Sequence, residues 1–312
     1  MLTRDEIIWG YTYVLGRSPQ PEEIARVALQ PITKSKLREQ LLNSDEFAAE
    51  QKIIGHVSKW VITEIFDGRV EIWIDLADKY VSFGCLIDNY EPLETNAFRQ
   101  LLRPGFHVAD VGANVGWFSL LAALCIGQEG RVSAFEPRIP TVDYLRRSVH
   151  LNGFEDRIVV FQNAAGDCSE TVPLSWHPMS RNPGSSHIGK ARDDAEIQLV
   201  EMRKLDALLA GSKVDCIKMD IEGAEGLALA GAGALLQESR PFILCEINPT
   251  ALNAVSGMTV DDFLRLVRAR NYVLFLLGNG TGLTRLDGSL ELGGRELINV
   301  VLAHEERLPE SS

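Results

Sequence analysis

Two carboxylates in this chain stand where a ligand would meet them. Asp110 opens the run Asp110-Val-Gly-Ala-Asn-Val-Gly116 directly after an apolar stretch, and Glu136 closes a second apolar stretch as Ala-Phe-Glu-Pro137. Gly112 permits backbone torsions that a side chain forbids, and Gly116 lets a helix and a strand approach closely. Asn114 is tolerable between them because Asn visits left-handed torsions readily. The run is not GxGxxG: it lacks the three glycines and bare helix N-terminus that a diphosphate needs. Asp110 also sets negative charge at the turn, which suits a ligand bearing an ammonium group. The charge therefore favours S-adenosylmethionine over NAD. Glu136, one strand over, can accept both ribose hydroxyls, and Pro137 fixes the turn after it. Asn163-Ala164-Ala165 supplies small residues that let an adenine ring approach backbone.

A hydroxyl acceptor has to lose its proton, which calls for a base within hydrogen-bond reach. Asp220 ends a further apolar run, Glu222 follows two residues on, and Gly223 lets the chain turn sharply. Asp220 is the expected base or acceptor-orienting group, with Glu222 second, and Lys218 is expected to pair with a neighbouring carboxylate. Asp220, Glu222, Glu225 and Glu246 could instead gather a hard divalent cation, although no metal-ligand spacing is present. His177 and His187 are alternative bases or acceptor contacts, as Glu246 is for the acceptor, whereas His107 reads as a core or edge residue of a strand. Trp117 and Phe118 could border an adenosine; core packing explains them equally well.

These groups need elements to hold them. From 106 to 247 apolar runs alternate with helical periodicity, the pattern of a parallel α/β sheet. Strands are expected at 106–111, 131–135, 158–162, 214–219 and 242–247. Helices are expected at 115–126, 144–151 and 224–237. An amphipathic helix at 260–270 and strands at 272–277 and 297–303 would complete a seven-stranded sheet. Ser175–Asp194, rich in Ser, Arg, Pro, Gly and His, reads as a long loop facing the acceptor. Upstream, residues 1–55 read as three short helices, the first opened by the capping box Thr3…Glu6. A hairpin at 61–66 and 70–75 turns at Asp67-Gly68, with alternation continuing to 86, and a helix covers about 95–102. The expected division is a helical subdomain (1–55), a hairpin with connecting helix (56–103) and a Rossmann-like domain (104–305).

Composition narrows the partners. With 31 basic and 43 acidic residues the chain carries a net charge of −12, which repels phosphate backbones and anionic lipid. Nucleic acid is not expected as a partner. Five cysteines with no CxxC spacing read as buried reduced thiols, and no run of 18 apolar residues or signal-like N-terminus is present. A cytoplasmic protein with no membrane span is the expectation.

The runs 110–116, Phe135-Glu-Pro137, Asn163-Ala-Ala-Gly-Asp167 and above all Lys218-Met-Asp-Ile-Glu-Gly-Ala-Glu225 resemble the FkbM family of methyltransferases. Tyr90-Glu91 resembles the same pattern, which places Glu91 among the cofactor-binding residues. The resemblance spans about 88–250. It implies the Rossmann-like seven-stranded class I methyltransferase fold, S-adenosylmethionine as donor, and oxygen methylation of sugars or polyketide hydroxyls. Leu15-Gly16-Arg17 with Ser44-Asp45-Glu46-Phe47 resembles a small helical domain that recurs beside glycan-modifying enzymes, which points the acceptor toward a saccharide. Its helices are a candidate surface for a protein partner or a second copy. A dinucleotide oxidoreductase and a non-catalytic binding protein of the same fold remain the alternatives.

Overall fold

The computed structural model describes residues 2–15, 17–42, 44–46, 60–177, 182–189, 195–278, 282–288, 290 and 296–308. The chain forms two compact units, Met1–Tyr90 and Glu91–Ser312.

In the first unit the capping box closes as expected: Thr3 donates its N–H to Glu6 Oε2 at 2.7 Å, and Glu6 donates its own to Thr3 Oγ1 at 3.3 Å. Helices Arg4–Leu15, Pro21–Ala28 and Lys34–Leu42 follow, burying Ile7, Tyr11, Val14, Val27, Leu37 and Leu41. Strands β1 (Trp60–Ile65) and β2 (Val70–Asp75) pair antiparallel, and Asp88 caps their turn by accepting the N–H groups of Phe66 and Asp67. Arg38 is buried and donates to the carbonyls of Glu64 and Leu86, tying the helices to the hairpin. The expected alternation stops at Asp75. Val81–Leu86 is a helix instead, started by Asp78, whose carboxylate accepts the N–H groups of Tyr80 and Ser82. Of the run Ser44-Asp45-Glu46-Phe47, Phe47 lies outside the described residues.

The second unit is the α/β domain. Its strands in chain order are β3 (His107–Val111), β4 (Arg131–Phe135), β5 (Ile158–Phe161), β6 (Ala164–Ala165), β7 (Glu170–Trp176), β8 (His187–Ile188) and β9 (Glu196–Arg203). Then come β10 (Cys216–Met219), β11 (Phe242–Ile247), β12 (Tyr272–Leu277), β13 (Leu283–Leu286) and β14 (Ile298–His304). The large sheet runs β13-β12-β14-β11-β10-β3-β4-β5. Strands β11, β10, β3, β4 and β5 are parallel, and β14 lies antiparallel between β11 and β12. Seven of these strands make the expected Rossmann-like seven-stranded sheet. An eighth, β13, adds to its edge; Leu-Thr-Arg-Leu is too polar and too exposed to read as a strand. Strands sandwiched by helices are apolar on both faces, and Ala109, Val111, Ile217, Met219, Ile243 and Cys245 are all buried accordingly. Strand order reverses between β10 and β3, which opens the ligand crevice at their carboxyl ends.

Two expectations are corrected. The stretch 175–194 is not one loop: Ser175 and Trp176 end β7, Pro183–Ser185 is a 3-10 turn, and His187–Ile188 is β8. Residues 178–181 and 190–194 of it lie outside the described residues. A separate four-stranded sheet, β6-β9-β7-β8, results, packed around Ala164, Leu174, Ile188, Val200, Met202 and Ala224. Pro173 disguised β7, and the chain tolerates it because β8 ends at Ile188, one pairing position short of it. Second, the helix expected over 224–237 is two, Glu225–Ala230 and Gly233–Glu238. The break lets Gly231 press on Gly166, where an added Cβ would sit 1.9 Å from the Gly166 carbonyl oxygen.

Candidate active site

The glycine run crosses from the end of β3 to the end of β4. Gly112 and Ala113 both donate to the Phe135 carbonyl, at 3.0 and 2.9 Å, and Asn114 donates to Glu136 Oε2 at 3.0 Å. Gly112 has φ +86°, and a Cβ there would fall 1.9 Å from the Asp220 carbonyl oxygen. Only glycine allows the loop to lie on the end of β10. Asn114 takes φ 49°, the left-handed torsion expected of it.

Glu136 is buried, and its second oxygen accepts the N–H of Arg138 at 2.8 Å. Burial pushes its carboxyl up to about 7, against the pull of those two N–H groups. Asp110 is 1 % exposed, and its Oδ2 accepts from Ser119 Oγ at 2.5 Å. Burial raises it to about 6, the Ser119 bond and the Lys218 charge opposing. These two carboxylates end neighbouring strands, and the charge of Asp110 adds to the rise at Glu136. Pro137 gives its carbonyl to Gln198. Asn163 donates to the Glu201 carbonyl at 3.2 Å, and Ala164 and Ala165 form β6 against Met202 and Arg203.

At the end of β10, Asp220 donates its N–H to Val111 and pairs with Lys218 Nζ at 3.2 Å, the partner expected for that lysine. Lys218 is 3 % exposed and lies over the Phe118 ring at 4.7 Å. Burial opposes its charge, but Asp220, Glu91, Asp110 and Glu246 outweigh it and hold Lys218 above its ordinary value. Glu222 is raised to about 8 by burial, then by Asp220 and Glu225. Glu246, inside β11, reaches about 9, by burial and then Asp220. Glu91 and Glu222 both hold left-handed torsions, φ 41° and 53°; side chains other than Gly, Asn and Asp rarely adopt them, and such strain gathers at functional sites. The fold therefore brings Glu91, Asp110, Asp220, Glu222 and Glu246 into one electrostatic group around Lys218.

His187 sits in β8 beside Ser175 Oγ at 3.4 Å, and His177 follows β7. His187 belongs to the smaller sheet and His177 flanks it, on different elements from the carboxylates. His107, at the opposite end of β3 from the glycine run, contacts Ser133 Oγ at 3.0 Å. Trp117 and Phe118 are buried, the first donating to Thr95 Oγ1 and the second packed edge-on against Phe98. Among the described residues no group of three or more His, Cys, Asp or Glu is placed to hold a metal ion. The second-sheet residues Gln198 and Trp176, which touch the loop after Glu136, were not legible, since no motif marks a partner contributed by another sheet.

Residues 110–274, just over half of the chain, match the methyltransferase FkbM domain. The chain belongs to the FkbM methyltransferase family. Membership makes S-adenosylmethionine its cofactor and decides between the donors that the glycine run left open. Comparison with curated proteins returns no match. Among solved structures, an FkbM methyltransferase from Methylobacillus flagellatus KT is 18% identical over 94% of this chain, with a TM-score of 0.44. This chain spans 58% of that protein's length. A SAM-dependent O-methyltransferase from Thermotoga maritima is 11% identical, covering 81% of this chain and 95% of its own, with a TM-score of 0.42. A Geobacter sulfurreducens methyltransferase is 16% identical over 68% of this chain and 77% of its own, with a TM-score of 0.37. No helix among the described residues of this FkbM chain is long and apolar enough to cross a membrane.

Proposed function

We propose that this chain methylates a hydroxyl oxygen, on a saccharide or polyketide-like natural product, with Asp220 as base or acceptor-orienting group. The observation that carries the reading is the position of Asp220: its backbone lies against Gly112 of the donor loop, and its carboxylate is held by Lys218. The residues suit the donor. Gly112 and Gly116 leave the turn bare, and Glu136 is a buried carboxylate with two backbone N–H partners and lone pairs to spare for ribose hydroxyls. Asp110 and the group around Lys218 give the negative field that a sulfonium and an ammonium need. Asn114, Pro137, Asn163, Ala164 and Ala165 would complete the walls. When bound, S-adenosylmethionine supplies an electrophilic methyl group for in-line displacement.

The chain's own work is then to position the hydroxyl and take its proton. Burial and neighbouring charge push Glu222 and Glu246 up to about 8 and about 9, which disfavours their ionised forms at neutral pH; the choice of Asp220 rests on its position between Gly112 and Lys218. A protonated Glu222 can donate a hydrogen bond to the acceptor oxygen instead. The five cysteines are free, which supports a reducing, cytoplasmic setting.

The test is incubation with labelled donor and a panel of sugars and polyketide alcohols, reading S-adenosylhomocysteine release and a product mass gain of one CH₂. Asp220→Asn should lower kcat by about 100-fold or more, the scale of a lost general base, while S-adenosylhomocysteine affinity stays within about two-fold. Methylation confined to nitrogen or sulfur acceptors would remove the hydroxyl reading. Survival of turnover in the variant would move the base to His177 or His187.

A further inference from the structure

The loop that carries Glu136 is gripped from outside the main sheet. Gln198, near the start of β9, donates Nε2–H to the Pro137 carbonyl at 2.9 Å and accepts the Ile139 N–H on Oε1 at 3.0 Å. Its amide thus holds the two residues flanking Arg138. The Arg138 N–H orients Glu136 Oε1 at 2.8 Å, and the Arg138 guanidinium lies 4.5 Å from the centre of the Trp176 ring, at the end of β7. In the β7–β9 register Gln198 faces Leu174 and Glu196 faces Trp176. Side chains two apart on a strand share a face, so Gln198 and Trp176 are diagonal neighbours that together close on 137–139. A primary amide donates from its nitrogen and accepts on its oxygen, two atoms spaced to meet the Pro137 carbonyl and the Ile139 N–H at once. Glutamate would set an acceptor against the Pro137 carbonyl, and leucine would satisfy neither group.

We propose that Gln198 is a positioning residue of the donor site: it fixes the 137–139 turn so that Glu136 meets the ribose, and the smaller sheet thereby sets donor affinity. The inference rests on the reading of Glu136 as the ribose acceptor. Gln198 reaches no reacting atom, so its loss acts on binding and leaves the chemical step alone.

The experiment is titration calorimetry of the full chain with S-adenosylhomocysteine, for wild type, Glu136→Gln, Gln198→Leu and the double variant, with melting curves alongside. Gln198→Leu should raise Kd about ten-fold, as loss of two neutral hydrogen bonds allows. It should leave kcat at saturating donor within about two-fold. On the Glu136→Gln background the same change should cost no more than about two-fold, because both substitutions remove one contact, and coupled residues fail to add. A Kd for Gln198→Leu within about two-fold of wild type, or penalties that multiply in the double variant, would overturn the proposal. Should Gln198→Leu fold poorly, the near-isosteric Gln198→Glu keeps the Ile139 bond and loses the Pro137 bond; an unchanged Kd there is equally fatal. If Glu136→Gln itself binds normally, the ribose reading fails. If Glu136→Gln is weak and Gln198→Leu is silent, only the role of Gln198 fails.

Discussion

Burial sets the chemistry of the individual carboxylates. Glu136 sits near 7 because desolvation outweighs the two N–H groups that face it; the two ribose hydroxyls of the proposed complex would donate to its charged form and favour it. Replacing it with alanine should weaken S-adenosylhomocysteine binding by roughly 1.5–3 kcal/mol, the worth of charge-assisted hydrogen bonds; calorimetry reads the loss directly. Glu222 carries a signature of its own. Its folded value of about 8 lies above the ordinary 4.5, so the native state binds that proton more tightly than the unfolded chain does. The stability that the group contributes is present below the unfolded value and is lost as pH rises from 4.5 through about 8. Glu222→Gln, which imitates the neutral acid, should therefore raise Tm above pH 8 and change it little near pH 4.5, as a pH series of melting curves would record.

At the scale of elements, what holds the site is close approach of backbone. Gly112 and Gly231 make the comparison, since an added Cβ would come 1.9 Å from a carbonyl oxygen at either position. At Gly112 that oxygen belongs to Asp220; at Gly231 it belongs to Gly166, away from the glycine run. Gly112→Ala should lower Tm and abolish S-adenosylhomocysteine binding together. Gly231→Ala should lower Tm by a similar mechanism, and protein that does fold should lose less affinity than Gly112→Ala, since the clash falls just after Ala165 at the edge of the proposed donor wall. The large sheet was legible because its parallel strands are buried on both faces and read as apolar runs bounded by Gly and Pro. The smaller sheet was not: β9 alternates Glu196-Ile-Gln-Leu with both Ile197 and Leu199 exposed, and β7 carries Pro173, so neither strand shows the polar-out pattern that marks a half-buried strand.

For the whole molecule, the FkbM domain accounts for residues 110–274, and the residues proposed for acceptor chemistry lie on strands next to the point where strand order reverses. No metal-holding group is placed among the described residues; instead one buried lysine faces a ring of carboxylates, of which Glu222 and Glu246 are pushed up to about 8 and about 9. Turnover should accordingly be unchanged by a chelator such as EDTA and unaffected by added magnesium. A loss of activity on chelation would restore the divalent-cation reading of Asp220, Glu222, Glu225 and Glu246.

The amino-acid order alone determined the donor turn, the acidic residue one strand over, the Asp220 block and the strand–helix alternation, because each is written in neighbouring residues through period, charge and glycine placement. Tertiary structure decided which distant groups share a field. Glu91 precedes the first strand and Glu246 lies within the fifth parallel one, yet both act on Lys218, because strand order rather than chain order makes β3, β10 and β11 neighbours. The grip of Gln198 on the 137–139 turn was decided in the same way. Hydrogen bonds between elements depend on where the chain returns, and no local pattern encodes that.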